Sequence, residues 1–332
     1  MTRLGVTHLV EDPTDVARAL LAGHLAILPT ETVYGLAARA DDPAAVARLY
    51  AAKGRPSDHP VIVHAHDGAV LDPAAGWVRD APAYAESLAA AYWPGPMTLV
   101  LMRGARAGDD VTGGQDTVAV RVPAHPRARA VLADMDRLDP AQAPHGVAAP
   151  SANRFGRVSP TTVRHALDEL EGFLDADDVA LDGGECDVGV ESTIVDCTGA
   201  RPRVLRPGAI TAADVEHATG LAVEGAERST VRASGGLRSH YAPRARVILR
   251  SDDDLGADPG WGLIAPSGVP TPAGVTRLLS ALDSRDYAHG LYAALRRADQ
   301  LGLEVVIAVP PPPDSTGLAE AVLDRLRRAA AG

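Results

Sequence analysis

The sequence predicts an α/β fold. A twisted, mixed, open sheet with flanking helices is expected first, then a small Rossmann-like α/β domain towards the C-terminus. Three observations carry this expectation. Short apolar runs of strand length alternate with segments of helical period over the first two-thirds of the chain. Several strand-like runs follow one another with no helix between them, so the sheet should be mixed and not purely parallel. The alternation fades near Gly220 and resumes as a second, shorter one.

The elements follow in order. "DPTDVARALLAGH" places Asp12 before Pro13, a cap and first-turn pair, ahead of apolar residues at helical spacing. "LAILPT" is a short buried strand. "DDPAAVARLYAAK" repeats the Asp-Pro start, with Val46, Leu49 and Tyr50 on one face. "PVIVHA" is a strand, "APAYAESLAAAYW" a helix, and "MTLVLM" and "VAVRVP" are strands. "SPTTVRHALDELEG" is a helix with Ser159 as its cap. "VALDGG", "ESTIVDC" and "PRVLRPG" are strands, the last followed by the helix "TAADVEHATG". Residues 1–219 therefore form the first domain. Residues 220–244, rich in Gly, Ser and Arg and without period, form a linker long enough to be functional. Residues 245–332 form the small domain: strands "ARVILR", "WGLIAP" and "LEVVIAVP", helices "SRDYAHGLYAALRRADQLG" and "GLAEAVLDRLRRAAA", and a rigid spacer at Pro310–Pro313.

Composition bounds the function. With 332 residues there is ample material for two cores, and aromatics are only 4%, so Ala, Val and Leu must fill them. A net charge of -11 argues against a surface built for nucleic acid, though not against a local basic pocket. Cys186 and Cys197 are the two cysteines and neither has metal-ligand spacing around it, which favours a reducing compartment. No signal-like or membrane-spanning apolar run occurs, so the protein reads as soluble and cytoplasmic. Lys and Arg total 32, yet Lys53 is the one lysine, and Asn153 is the one asparagine. A chain that has replaced almost all of either type should keep it where nothing else serves.

Four stretches gather polar residues at the ends of apolar strands. In "LPTETVYGL", Thr30, Glu31, Thr32 and Tyr34 could hold a small polar ligand where α/β sheets bind them, or form a strand-to-helix turn with Thr as the cap. In "KGRPSDHPVIVH", Lys53 and Arg55 could clamp adjacent phosphates, or merely complement a helix C-terminus. Arg would serve that second role as well as Lys. Arg121 lies among alternating valines on the face of Thr117 and Ala119 and needs a carboxylate, from a ligand or from the protein. "APSANRFGRVSPTT" offers Ser151 and Asn153, and "VGVESTIVD" and "VLRPG" add Ser192, Thr193 and Arg206. No P-loop, G-x-G-x-x-G, H-E-x-x-H or G-x-S-x-G pattern occurs. A nucleotide would be held by scattered cations and hydroxyls, with catalysis by positioning and charge stabilisation.

Together "PTETVYGL", "KGRP.DHPVIVH", "PGPMTLVL", "VAVRVP", "PSAN...SPTT" and "ESTIVD...VLRPG" resemble the YrdC-like threonylcarbamoyl-AMP synthases over residues 5 to 210. "SHYAP" resembles the linker of the long two-domain members, and the last stretches resemble their small domain. The resemblance implies synthesis of L-threonylcarbamoyladenylate from L-threonine, bicarbonate and ATP, with Mg²⁺, releasing pyrophosphate. The product would go to the machinery that modifies the adenosine beside the anticodon in tRNA, with no membrane and no strong direct nucleic-acid binding. It implies that Thr32, His64, Arg121, Ala149 and Ser192 line a threonine pocket. Arg55, His59, Thr117, Ser151, Asn153, Ser159, Arg206 and Tyr241 would contact ATP, Lys53 would sit by the phosphates, and Lys53 and Arg55 would carry catalysis; no metal ligand from the protein is implied. Tyr241 would make the linker a lid. Two departures stand out. His59 replaces the usual Asn, and "ASGGL" replaces "SPGMK" before "HYAP", with Arg238 available to restore the charge. Two rivals remain: a related carbamoyl-adenylate domain, and a non-catalytic RNA-binding or ribosome-assembly module.

Overall fold

The computed structural model describes residues 8–225, 229–235, 240–314 and 316–332. Arg238, with the rest of 236–239, lies outside the described residues.

The first domain is one sheet with helices against it. Its strands are β1 (His8–Val10), β2 (Ala26–Leu28), β3 (Gly35–Arg39), β4 (Ile62–His64), β5 (Val78–Asp80), β6 (Met97–Arg103), β7 (Thr117–Arg121), β8 (Val147–Ala148), β9 (Val179–Leu181), β10 (Thr193–Asp196) and β11 (Arg203–Arg206). They run in the order β1-β9-β2-β3-β8-β4-β7-β6-β10-β11, with β5 joined to β6. Pairing is mixed, as expected: β4 is parallel to β7 and antiparallel to β8, and β10 is parallel to β6 and antiparallel to β11. The helices are α1 (Pro13–Leu21), α2 (Pro43–Lys53), α3 (Ala83–Tyr92), α4 (Asp109–Thr112), α5 (Pro126–Leu138), α6 (Val163–Leu170) and α7 (Ala212–Thr219). Both Asp-Pro starts act as read from sequence. Asp12 accepts from the Thr14 amide, and Asp42 from those of Ala44 and Ala45. Gly54, at φ 60, ends α2 in the left-handed region and turns the chain so that Lys53 and Arg55 diverge.

Three local features were left open, misplaced or missed in the sequence. The "PTETVYG" segment leads into a strand, since β3 returns antiparallel to β2 with Ile27 opposite Leu36. Thr162, not Ser159, caps α6, because the Ser159 hydroxyl is committed to Glu191. Helix α5 was not anticipated; its Val131, Leu132 and Met135 pack on Val16 and Leu20 of α1.

The second sheet holds β12 (Arg246–Leu249), β13 (Gly262–Pro266), β14 (Thr276–Ala281) and β15 (Val305–Ala308), in the order β12-β15-β13-β14. It is parallel throughout, with α8 (Ser284–Gln300) and α9 (Leu318–Ala329) packed together against it. Its likeness to a Rossmann unit lies in the all-parallel pairing, not in strand order or in helices on both faces. The core beneath α8 and α9 does not stop at the domain boundary. Val33, Val158 and Val190 of the first domain and Tyr241 of the linker are buried in it beside Leu291, Tyr292, Val322 and Leu326.

Candidate active site

In a mixed sheet, neighbouring strands end at opposite edges, so a site can collect residues over one face. His64 and Arg121 lie in register at the ends of the parallel β4 and β7. Ala149 and Ser151 follow β8, which runs the other way, and Ser192 leads into β10. Ile62 and His64, two residues apart, share a face. Together with Thr32, Arg55, Arg206 and the linker residues Ser234, Gly235, His240 and Tyr241 they line a cavity of about 40 Å³.

Charge is distributed unevenly in this cavity. Arg121, 3% exposed, donates to the Glu31 carboxylate at 2.7 Å, to the Thr32 hydroxyl at 3.0 Å and to the Gly95 carbonyl at 3.2 Å. Its carboxylate partner is thus a protein group, and two of its five N–H donors are left for another acceptor. Burial would raise the Glu31 carboxyl, but Arg121 and the amide of Ala124 outweigh it and hold it below its usual range. Arg55 donates to the Pro60 carbonyl at 2.8 Å and reaches the Ser234 hydroxyl at 3.5 Å. Arg206 donates to the carbonyl and hydroxyl of Ser192, both at 3.0 Å, and to the Ser234 carbonyl at 3.1 Å. The two guanidiniums therefore converge on Ser234, and among the described residues neither is ion-paired with a carboxylate. His64 is fully buried beside Arg121; desolvation, reinforced by that charge, pushes it down to about 3, so it is neutral at physiological pH.

All five residues expected at the threonine pocket line the cavity, as do Arg55, Ser151, Arg206 and Tyr241 of the ATP set. Five expected residues do not. Lys53 is 2% exposed, and its ammonium donates to the carbonyls of Ser151 and Asn153, each at 2.5 Å. It fastens the "PSAN" turn from behind instead of facing the cavity. Asn153 turns its amide nitrogen to the carbonyls of Arg154 and Arg157, which leaves its side-chain oxygen buried without a partner among the described residues. The Ser159 hydroxyl donates to Glu191 at 2.6 Å. Thr117 lines an adjoining cleft with Gln115, Arg232 and Ser234. His59 stands edge-on to Phe155 at 5.3 Å, so the departure at this position falls outside the cavity lining.

The linker covers the cavity. Gln115 accepts from the Arg232 amide at 2.7 Å and donates to its carbonyl at 3.1 Å, which holds the linker against β7. Tyr241 is 1% exposed at φ 62, and its hydroxyl has no partner among the described residues. Such a buried hydroxyl, on a cavity wall, fits a ligand's polar atom.

Glu191 and His240 also line the cavity and had not been singled out. Glu191 accepts from Ser159, from Tyr292 at 2.9 Å and from Arg325 at 2.9 Å. Burial would raise it, but Arg325 and Arg206 prevail and hold it at about 2. A signal for Arg325 was present in the sequence. It falls in the apolar stripe Leu318, Val322, Leu326, Ala329 of the last helix, where a charge needs a partner.

Comparison with known proteins is consistent along the chain. A family model for Sua5, YciO and YrdC, described as "Telomere recombination", matches residues 18–208, and one described as "Threonylcarbamoyl-AMP synthase, C-terminal domain" matches 210–331. The threonylcarbamoyl-AMP synthase of Pyrococcus abyssi is 38% identical over 92% of this chain and 90% of its own length. That of Bacillus subtilis is 34% identical over 95% and 92%. The crystal structure of P. abyssi Sua5 complexed with L-threonine superposes with a TM-score of 0.81 at 34% identity, covering 98% of this chain and 97% of that one. With both domains, the linker between them and the site-bearing motifs inside the matched span, the chain belongs to the threonylcarbamoyl-AMP synthases of the Sua5/YrdC family, a family of enzymes, in its long two-domain form.

Proposed function

We propose that the protein makes L-threonylcarbamoyladenylate from L-threonine, bicarbonate and ATP, releasing pyrophosphate. In the cytoplasm the product passes to the machinery that transfers the threonylcarbamoyl group to the adenosine beside the anticodon in tRNA. The observation that carries this reading is the pair Arg55 and Arg206, two buried guanidiniums converging on one lid residue without a carboxylate between them. Such a pair suits a polyphosphate. The names of the relatives and the threonine complex of the P. abyssi protein support the same reading.

In this reading bicarbonate carboxylates the threonine amine with loss of water. The carbamate oxygen then attacks the α-phosphorus, and pyrophosphate leaves. The two free N–H donors of Arg121 take the amino-acid carboxylate, with Thr32 and Ser192 near the side chain. Arg55 and Arg206 balance the charge that builds on the leaving phosphates. Neutral His64 closes the pocket floor without adding a competing charge. The lid over Tyr241 keeps water from the carbamate. Glu31 and Glu191 are both engaged by arginines, so among the described residues the cavity presents no spare carboxylate pair to Mg²⁺. The ion belongs to the incoming ATP complex.

The test is pyrophosphate release with ATP, bicarbonate and each amino acid in turn. Release that depends on threonine is expected; its absence in the folded protein overturns the reading.

A further inference from the structure

Ser192 and Arg206 face the cavity, yet the residues that fix them come from the small domain. Arg325 of α9 has no exposed side-chain surface. Its Nε donates to the Glu191 carboxylate at 2.9 Å, its Nη2 approaches the Glu191 carbonyl at 3.5 Å, and its Nη1 donates to the Pro207 carbonyl at 2.9 Å. These acceptors belong to the residue before Ser192 and the residue after Arg206. Arg206 closes the ring by binding the carbonyl and hydroxyl of Ser192. Tyr292 of α8 adds its hydroxyl to the Glu191 carboxylate at 2.9 Å. The Arg325 guanidinium also lies over the lid's Tyr241 ring, 5.6 Å from its centroid.

We propose that Arg325, assisted by Tyr292, is a positioning residue of the active site, through which docking of the small domain sets the placement of Ser192 and Arg206. The argument is geometric. A rivet between domains needs one good ion pair. Arg325 instead spreads its fork over two separate strand connections that meet at the cavity, a task that needs a planar, multi-donor group. Glu191 in turn draws in Ser159, so the "SPTT", "ESTIVD" and "VLRPG" segments are held from one point. The small domain is on this view part of the site.

This rests on the synthase reading for its kinetic test. Arg325→Met, Arg325→Lys and Tyr292→Phe are made in the full chain, with exposed Arg327→Met as control. Pyrophosphate release is measured against threonine and ATP well below each melting temperature. Arg325→Met is expected to lower kcat/KM for threonine by about tenfold or more, because small misplacements of substrate-binding groups are costly. Arg325→Lys keeps the charge opposite Glu191 and should recover the melting temperature but not kcat/KM, since one ammonium does not reproduce the fork. Arg327→Met should match wild type. Wild-type kcat/KM in either folded Arg325 variant reduces Arg325 to a rivet and overturns the proposal. Should neither variant fold, Tyr292→Phe decides: a raised KM for threonine is expected, and unchanged constants overturn the proposal. Should wild type show no threonine-dependent release, the synthase reading fails, and hydrogen exchange judges the positioning claim. Faster exchange confined to 191–193 and 206–208 on loss of Arg325 or the Tyr292 hydroxyl sustains it, and unchanged exchange there overturns it.

Discussion

Replacing Lys53 by Met separates two accounts of the chain's one lysine. Met is close in volume and reach but donates no hydrogen bond. In the structure the ammonium is buried and holds the carbonyls of Ser151 and Asn153. Removing it strands the Asn153 carbonyl, while the Ser151 carbonyl keeps the Asn153 amide at 2.9 Å. A buried acceptor left unpaired costs about 1–3 kcal/mol. One effect works in the other direction. Desolvation, with Arg55 and Arg154 close by, pushes the Lys53 ammonium well below its ordinary range, so part of its own burial penalty disappears with it. The net loss should fall in the lower half of that span, a large share of the ~5–15 kcal/mol that holds a typical domain folded.

The assay is urea denaturation followed by far-UV circular dichroism. With a slope of about 1–3 kcal/mol per molar, the midpoint should drop by roughly 0.5–1 M. Kinetics should move through Ser151, which lines the cavity beside the fastened turn. KM for ATP should rise more than kcat falls. Lys53→Arg should not rescue, because a larger planar group in a filled slot costs about 1–3 kcal/mol in overpacking. An unchanged urea midpoint combined with a collapse of kcat would refute the anchoring argument and return Lys53 to the phosphates.

Three further outcomes are expected. His64 is held at about 3 against an ordinary value near 6.5, so the unfolded chain binds a proton there that the folded one refuses as pH falls below 6.5; between pH 7 and pH 5 wild type should lose about 2 kcal/mol more than His64→Phe by urea titration, and equal losses would show that the imidazole is not the cause. Tyr241→Phe removes a buried hydroxyl without a partner among the described residues, so its melting temperature should match or exceed wild type while KM for ATP rises; unchanged KM would take the hydroxyl out of the site. Gly235→Ala places a Cβ 2.5 Å from the Tyr241 hydroxyl at φ +82, so the lid must shift and kcat/KM should fall with a stability change of about 1 kcal/mol, whereas wild-type kinetics would show that this lid contact is not needed.

The parts of the fold legible in the sequence are those set by local chemistry. Asp12 and Asp42 before their prolines, and the period of the final helix, each depend on residues within one turn. Strand β3 escaped because it is short and almost wholly buried, so it shows no alternation to read. Helix α5 was missed although Ala128, Val131, Leu132 and Met135 stand at helical spacing behind its Pro126 start. The "PTETVYG" turn was left open between a ligand-binding strand end and a strand-to-helix turn, since hydroxyl residues after a strand fit either outcome and the partner strand decides.

The site shows a sharper division. Sequence can reveal that a charge stands on an apolar face, as Arg121 does among valines and Arg325 among leucines. It cannot reveal what answers the charge when the partner is 90 residues away, as Glu31 is, or 134 away, as Glu191 is. Lys53 combines both cases. Its rarity in the sequence marked the position, and the structure supplies a physical reason for arginine to serve poorly there, the slot. An ammonium on a slender stem can end between two carbonyls with almost no exposed surface, whereas a guanidinium would have to displace the turn it holds. The chain thus gives arginine the open, forked tasks at Ser234 and Glu191 and keeps lysine for the one buried point contact. Such a division is set by shape as much as by charge. It also predicts where the lone lysine should matter most, in the stability of the "PSAN" turn and, through Ser151, in the grip on the nucleotide.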